Sequence, residues 1–335
     1  MELPSKLTVS ASPHFHTTAT TPGLMGDVLL ALAPAGVMSI VLFGWRSFLI
    51  IAISVISCVF FEYATQKLLK RPVTVKDLSA VVTGLLLAFN LPSNIPLWMP
   101  IIGAFVAIVI AKQFFGGIGQ NFVNPALVGR ITLMLSFPDY MSVSKWPNPA
   151  AIMAGKADAV TSASPLGQLA NGEIPSLSEM FTTVTEFDPL SMFLGLRPGA
   201  LGETCAIALL IGGLYLCIRK VISPVIPLVF MGSAAALAWA FGQNPYYHLM
   251  AGGLIIGAVF MATDYTTCPI NFKGKVIYAL GCGIITAVIR VFGNMPEGVS
   301  VAIVLMNILV PHIERLTTPK PFGSQKPKKA KEAKV

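Results

Sequence analysis

The chain has 335 residues, 54% of them hydrophobic and 11% charged, with a formal net charge of +8. Soluble domains carry roughly 25% charged residues, so a water-facing globular fold is excluded and lipid must be the solvent for most of the surface. The positive excess gathers in short loops and at the C-terminus, where membrane topology and contact with anionic lipid or another subunit account for it without a nucleic acid partner.

Residues 1–27 form a polar arm rich in Ser, Thr and His, with no apolar stretch of the kind a cleaved leader needs. The first apolar segment therefore reads as a retained span. A helix needs about 20 mostly apolar residues to cross the hydrocarbon core. Segments that approach this are 28–44, 46–63, 78–91, 96–114, 122–137, 201–218, 222–241, 247–263, 275–292 and 298–314, the weakest being 78–91 and 122–137. The chain is thus expected to be all-α, a polytopic membrane protein of about ten transmembrane helices. Basic residues cluster after alternate spans: Lys67, Lys70, Arg71 and Lys76, then Lys112, then Arg219 and Lys220, then Lys273 and Lys275, then the tail 317–335. By the positive-inside rule both termini are cytoplasmic.

On this map residues 28–137 are a first transmembrane half, 138–200 an extracytoplasmic loop and 201–316 a second half. The odd number of spans per half inverts the second copy, giving two inverted five-helix repeats as in many transporters. Small-residue clusters near the starts of spans three and eight (Val82-Thr83-Gly84 and Ala251-Gly252-Gly253) fit that reading. A loop longer than about 15 residues is usually functional or disordered. The apolar patches Met180-Phe181 and Leu190 to Leu196 favour function, because they could pack on the membrane domain.

Few polar residues within spans invite a chemical role. Glu62 and Lys67 read as snorkelling side chains at the end of span two, and Asp77 with Ser79 as an ordinary helix start. Arg130 lies inside a weak span, where an anion, carbonyl groups or water must satisfy its guanidinium, and functional and structural readings weigh equally. Asp264 and Arg290 are similar but nearer the boundaries. Just before Arg130, GGIGQNFVNPALVGR combines backbone freedom with the amides of Asn121 and Asn124. Such a turn can hold phosphate or ring carbonyl groups through backbone N–H, or serve as a re-entrant turn that lets helices pack closely. It is neither a Walker loop nor a dinucleotide fingerprint. The five cysteines and four histidines show no metal-site spacing.

The stretches KDLSAVVTGLLLAFNLPSNIPLW, FGGIGQNFVNPALVGR, DAVTSASPLG, HLMAGGLIIGAVFMATDYTTCPINFKGKVIYALGCG and IRVFGNMPEGVSVAIVLMN resemble the RnfD family, the D subunits of Rnf complexes. Its sibling family is the B subunit of the sodium-pumping NADH:quinone oxidoreductase. The resemblance covers nearly the whole chain. It implies a subunit of a bacterial inner-membrane ferredoxin:NAD oxidoreductase in which redox steps move sodium ions or protons. The Rnf partners A, B, C, E and G are implied with it, the iron–sulfur centres lying among them. It also implies FMN joined by its phosphate to a hydroxyl in a segment Asp-x-x-Ser/Thr-Gly-Ala-Thr, attached by a flavin transferase. Here Asp158 matches the Asp, Thr161 the Ser/Thr, and Ser164 the acceptor Thr, while Ser162 and Ser164 depart from the pattern. Ser164 is the expected attachment residue and Thr161 the alternative. Pro165 confines Ser164 to extended backbone, which is expected to turn its hydroxyl outward. A second, non-covalent riboflavin in the transmembrane part follows from the same resemblance, and Asn121, Asn124 and Arg130 are the candidate flavin ligands there. The rival reading is a solute permease with inverted halves and no redox cofactor.

Overall fold

A computed structural model describes residues 20–142, 146–149, 152, 161–162, 164–170, 189–293 and 297–319. The described residues are overwhelmingly helical, and each expected span contains a helix. In the first half these are α1 (Thr21–Phe43), α2 (Trp45–Leu68), α3 (Ser79–Phe89), α4 (Met99–Phe105, continued as a π-helix over Val106–Gln113) and α5 (Pro125–Ser136). Short elements follow: α6 (Pro138–Met141), β1 (Trp146–Pro147), β2 (Thr161–Ser162), α7 (Pro165–Ala170) and α8 (Pro189–Leu194). The second half contains α9 (Ala206–Ile218), α10 (Val225–Ala240), α11 (Pro245–Met250), α12 (Leu254–Ile256, continued as a π-helix over Gly257–Met261), α13 (Phe272–Phe292) and α14 (Val299–Thr317). Strands β1 and β2 pair antiparallel, Trp146 opposite Ser162 and Pro147 opposite Thr161.

Among the described residues, four helices, α1, α2, α13 and α14, are long and apolar enough to cross a membrane. The others are shorter because the sequence breaks them. The expected span 247–263 is in fact two pieces, α11 and α12, parted at Gly252 and Gly253 with φ of +68° and +64°. Only glycine adopts that backbone readily. Helix starts follow the sequence closely. Asn124 and Asn244 each precede a proline and accept a hydrogen bond from the N–H two residues on, at 3.0 Å in both cases. An Asn cap with Pro in the first turn is a strong start signal.

The two ends of the body differ. At one, Trp98 meets Phe137 and Tyr140 edge-on, Trp45 stacks on Phe48, and Phe241 meets Phe292. At the other, Arg71 Nη1 donates to Gln113 O (2.9 Å) and Arg219 pairs with Asp27 (3.3 Å), near the edge-on pair of Phe115 and Phe122. Lys112 departs from the expected pattern of basic loop residues. It lies in the α4 π-helix, buried, because Glu62 neutralises it there.

The two halves share one core. Helix α1 runs along α9, and α5 touches α14. Backbone bonds join them directly, from Leu201 N to Leu91 O (3.0 Å) and Gly202 N to Phe89 O (2.9 Å). Gly202 permits this approach, since a Cβ there would collide with the Phe89 side chain. Of the 190–196 patch, α8 lies against α9 with Met192 fully buried. Residues 180–181 lie outside the described residues, as do the arm 1–19 and the tail from 320.

Candidate functional site: a cavity, a buried charge seam and a docked loop

A partly open cavity lies between the halves, beside the Lys112 end of α4. Apolar walls come from Val82, Leu86, Leu216, Ile222, Val259 and Phe260, and polar groups from Ser79, Lys112, Asn121, Asn124, Thr263, Asp264 and Thr266. That balance of apolar wall and a few fixed polar groups is usual for an organic ligand site. Asn121 is anchored by Nδ2 to Thr266 Oγ1 (2.9 Å) and Val123 O (3.2 Å). Asn124 caps α5 and reaches Met261 O at 3.3 Å, and Asn307 of α14 approaches the Asn124 N–H at 3.1 Å and Tyr278 at 2.7 Å. Asp264 accepts from Thr266 and Thr267 hydroxyls at 3.0 and 3.3 Å.

Behind the cavity, Lys112 Nζ lies 2.7 Å from Glu62 Oε2, 3.0 Å from Glu62 Oε1 and 2.6 Å from Ser79 Oγ. Glu62 is fully buried, so it does not snorkel. The lysine one helix away supplies the countercharge that lipid cannot. Lys67 does stay exposed, over the Tyr63 ring at 5.7 Å. Asp77 starts α3 as expected, its carboxylate accepting the Ser79 N–H at 2.8 Å and hydroxyl at 2.6 Å.

Arg130 does not line this cavity. It lies deeper on the seam between halves, donating to Asn90 Oδ1 at 2.5 Å and to Glu297 Oε2. Glu203 closes the same region, for its Oε2 and the Arg130 guanidinium both approach Gly253. Two further buried guanidiniums cap broken backbone. Arg197 donates to Glu203 O (2.8 Å), and Arg290 to His248 O (2.6 Å), Ala251 O (3.1 Å) and Gly252 O (2.8 Å). In lipid such carbonyls need an internal donor, which explains why arginines stand where helices stop. Sequence reasoning alone passes over Glu203, Glu297 and Asn90. A signal for them exists, because an intramembrane arginine requires a partner.

The described residues after Thr161 pack against the second half. Helix α7 packs on α11 and α13, and Leu166 is buried among Met192, Tyr247 and Ala251. Ser164 is 5% exposed and its Oγ accepts from Gly167 N at 3.2 Å. This corrects the expectation of an outward hydroxyl. Pro165 sets only the local backbone, and the tertiary contact of Leu166 draws the segment inward. Thr161 sits in β2, opposite Pro147 in the strand pair, and Asp158 lies outside the described residues. Among the described residues no group of three or more His, Cys, Asp and Glu side chains comes together, and the five cysteines are free.

Comparison with known proteins agrees with the resemblance in the motifs. The model of the NQR2, RnfD, RnfE family matches residues 8–323. The chain is 45% identical to the D subunit of the Na(+)-translocating ferredoxin:NAD(+) oxidoreductase complex of Acetobacterium woodii, covering 98% of each chain. It is 43% identical to the D subunit of the proton-translocating ferredoxin:NAD(+) oxidoreductase complex of Clostridium ljungdahlii, over 95% of this chain and 97% of that one. It is 38% identical to the D subunit of the ion-translocating oxidoreductase complex of Stutzerimonas stutzeri, over 90% and 91%. A match of this length and identity leaves one conclusion, that the chain belongs to the NQR2, RnfD, RnfE family.

Proposed function

We propose that this chain is the flavin-bearing membrane subunit of an ion-translocating ferredoxin:NAD+ oxidoreductase complex in a bacterial cell membrane. The observation that carries the reading is likeness over the whole length to the D subunits of such complexes. One of those relatives is named for sodium and the other for protons, so the cargo is one of these two cations. The Rnf subunits A, B, C, E and G, a flavin transferase and membrane lipid are the expected partners. Ten spans in two inverted halves, with both termini cytoplasmic, complete the reading. Its support is the basic end, the aromatic end and the paired Asn-Pro helix starts.

The chain's residues fit a flavin at two places. Ser164, with Thr161 as alternative, would hold FMN by a phosphoester, and Asp158 would mark the segment for the transferase. The cavity would take riboflavin, with the Asn121 and Asn124 amides meeting the polar edge of the ring and Val82, Val259 and Phe260 its faces. Lys112, the one cation among the lining residues, is already paired with Glu62, and Asp264 adds a negative charge. A phosphate would find no free countercharge there, which favours a flavin without one. Bound flavins supply one- and two-electron transfer. Arg130 fixes the seam between the two places. Mass spectrometry of the subunit purified after expression with its transferase tests the reading. A covalent FMN adduct on the 161–164 peptide and an extractable second flavin are expected. Neither flavin in an intact, assembled protein would leave the cavity and broken helices to a permease.

A further inference from the structure

The buried state of Ser164 has an implication for when the flavin is attached, and this inference rests on the reading of Ser164 as acceptor. We infer that the phosphoester forms while the loop is undocked from α11 and α13, and that Leu166 is the latch whose docking then closes the site. Ser164 is 5% exposed as a residue, and its oxygen already accepts the Gly167 N–H. An enzyme must bring an activated flavin phosphate in line with that oxygen, which the docked arrangement does not admit. Two residues on, Leu166 is 3% exposed and fills the notch that the Gly252 backbone leaves, its Cδ1 occupying the space that a Cβ at position 252 would need. Arg290 Nη2 lies 2.8 Å from the same point and holds the Gly252 carbonyl, so the notch is rigid on its far side. The latch is therefore one apolar side chain in a preformed socket, and releasing it frees the acceptor.

The transfer itself balances without redox change. Ser164 Oγ bonds to the flavin phosphorus, the phosphoanhydride of a flavin dinucleotide donor breaks, a nucleoside monophosphate leaves, and the hydroxyl proton passes to a base of the transferase.

The test uses full-length protein made without transferase. Ser164→Cys, read by peptide-resolved mass spectrometry, should react with a maleimide at least about tenfold more slowly than Tyr140→Cys, a 48% exposed position. Leu166→Gln in the same background should speed labelling of position 164 by at least about tenfold, and the milder Leu166→Val by less, since emptying a buried leucine site weakens docking. With Ser164 restored, added transferase and flavin dinucleotide should flavinylate Leu166→Gln faster than the wild type. Equal labelling of positions 164 and 140, or equal flavinylation of wild type and Leu166→Gln, would overturn the latch. If labelling follows the latch and no variant accepts flavin, the latch stands and Ser164 as acceptor fails.

Discussion

Glu62 and Lys112 stand on neighbouring helices 50 positions apart in sequence and meet as a buried pair, with side-chain exposures of 1% and 3%. The lysine also lines the cavity, so a single residue joins the core of the first half to the candidate ligand site. Removing either partner leaves an uncompensated charge in a low-dielectric setting, which costs about 3–5 kcal/mol, whereas replacing both is much milder. Lys112→Met alone should therefore lower the yield and melting temperature of the detergent-purified protein, and Glu62→Met/Lys112→Met should recover most of the loss. Equal losses in the single and double variants would show that the pair is not coupled.

Arg130 behaves in the same manner for a different seam. Its partners, Asn90 and Glu297, lie in opposite halves. Arg130→Met should destabilise by about 3–5 kcal/mol and reduce assembled protein, with partial recovery in Arg130→Met/Glu297→Met. Normal assembly of Arg130→Met with selectively lost flavin would return this residue to a ligand role.

The cavity can be closed without touching a charge. Val82→Phe enlarges a wall residue beside Leu86 and Phe260, and overpacking of a formed site costs about 1–3 kcal/mol. Extractable flavin should fall sharply while the covalent band persists. If both flavins persist at wild-type levels, the cavity is not the second flavin site.

At the loop, Ser164→Ala should abolish the fluorescent band on a denaturing gel, and Ser164→Thr should keep it because the hydroxyl remains. Thr161→Ala should retain most of the signal. The reverse pattern, with loss in Thr161→Ala only, would move the ester to Thr161.

Orientation has its own measurement. Tyr140→Cys at the aromatic end should react with an impermeant thiol reagent from outside intact cells, and Lys273→Cys at the basic end only after the membrane is opened. Labelling in the opposite order would invert the map.

The spans are legible in the sequence because length and apolarity are local properties, and every one expected holds a helix. The break at Gly252-Gly253 shows there only as a cluster of small residues, since its cause is a positive-φ backbone together with the Arg290 donor some 40 positions away. Asn121 and Asn124 stand out in the sequence by their glycine-rich setting, and both line the cavity. Glu62 is misread, because a residue near a helix end looks like a snorkelling one until its partner is known. Lys112 is misread as a loop residue, because its charge marks a loop only until its buried partner Glu62 is known. Glu203, Glu297 and Asn90 escape notice because each gains its meaning from Arg130, up to 167 positions distant. The Ser164 hydroxyl is turned the wrong way by a proline rule that concerns dihedral angles and says nothing about which socket the next leucine enters.

The two backbone hydrogen bonds from Leu201 and Gly202 to Leu91 and Phe89 have a mechanical meaning. They stitch the end of α3 to the segment leading into α9, at a spot so tight that only glycine fits beside Phe89. Rocking one half against the other would have to tear this stitch and part Arg130 from Glu297, leaving polar groups stranded in lipid. The body therefore resists wide hinge motion, and rearrangements within it are confined to side chains and short broken-helix segments around a stationary frame.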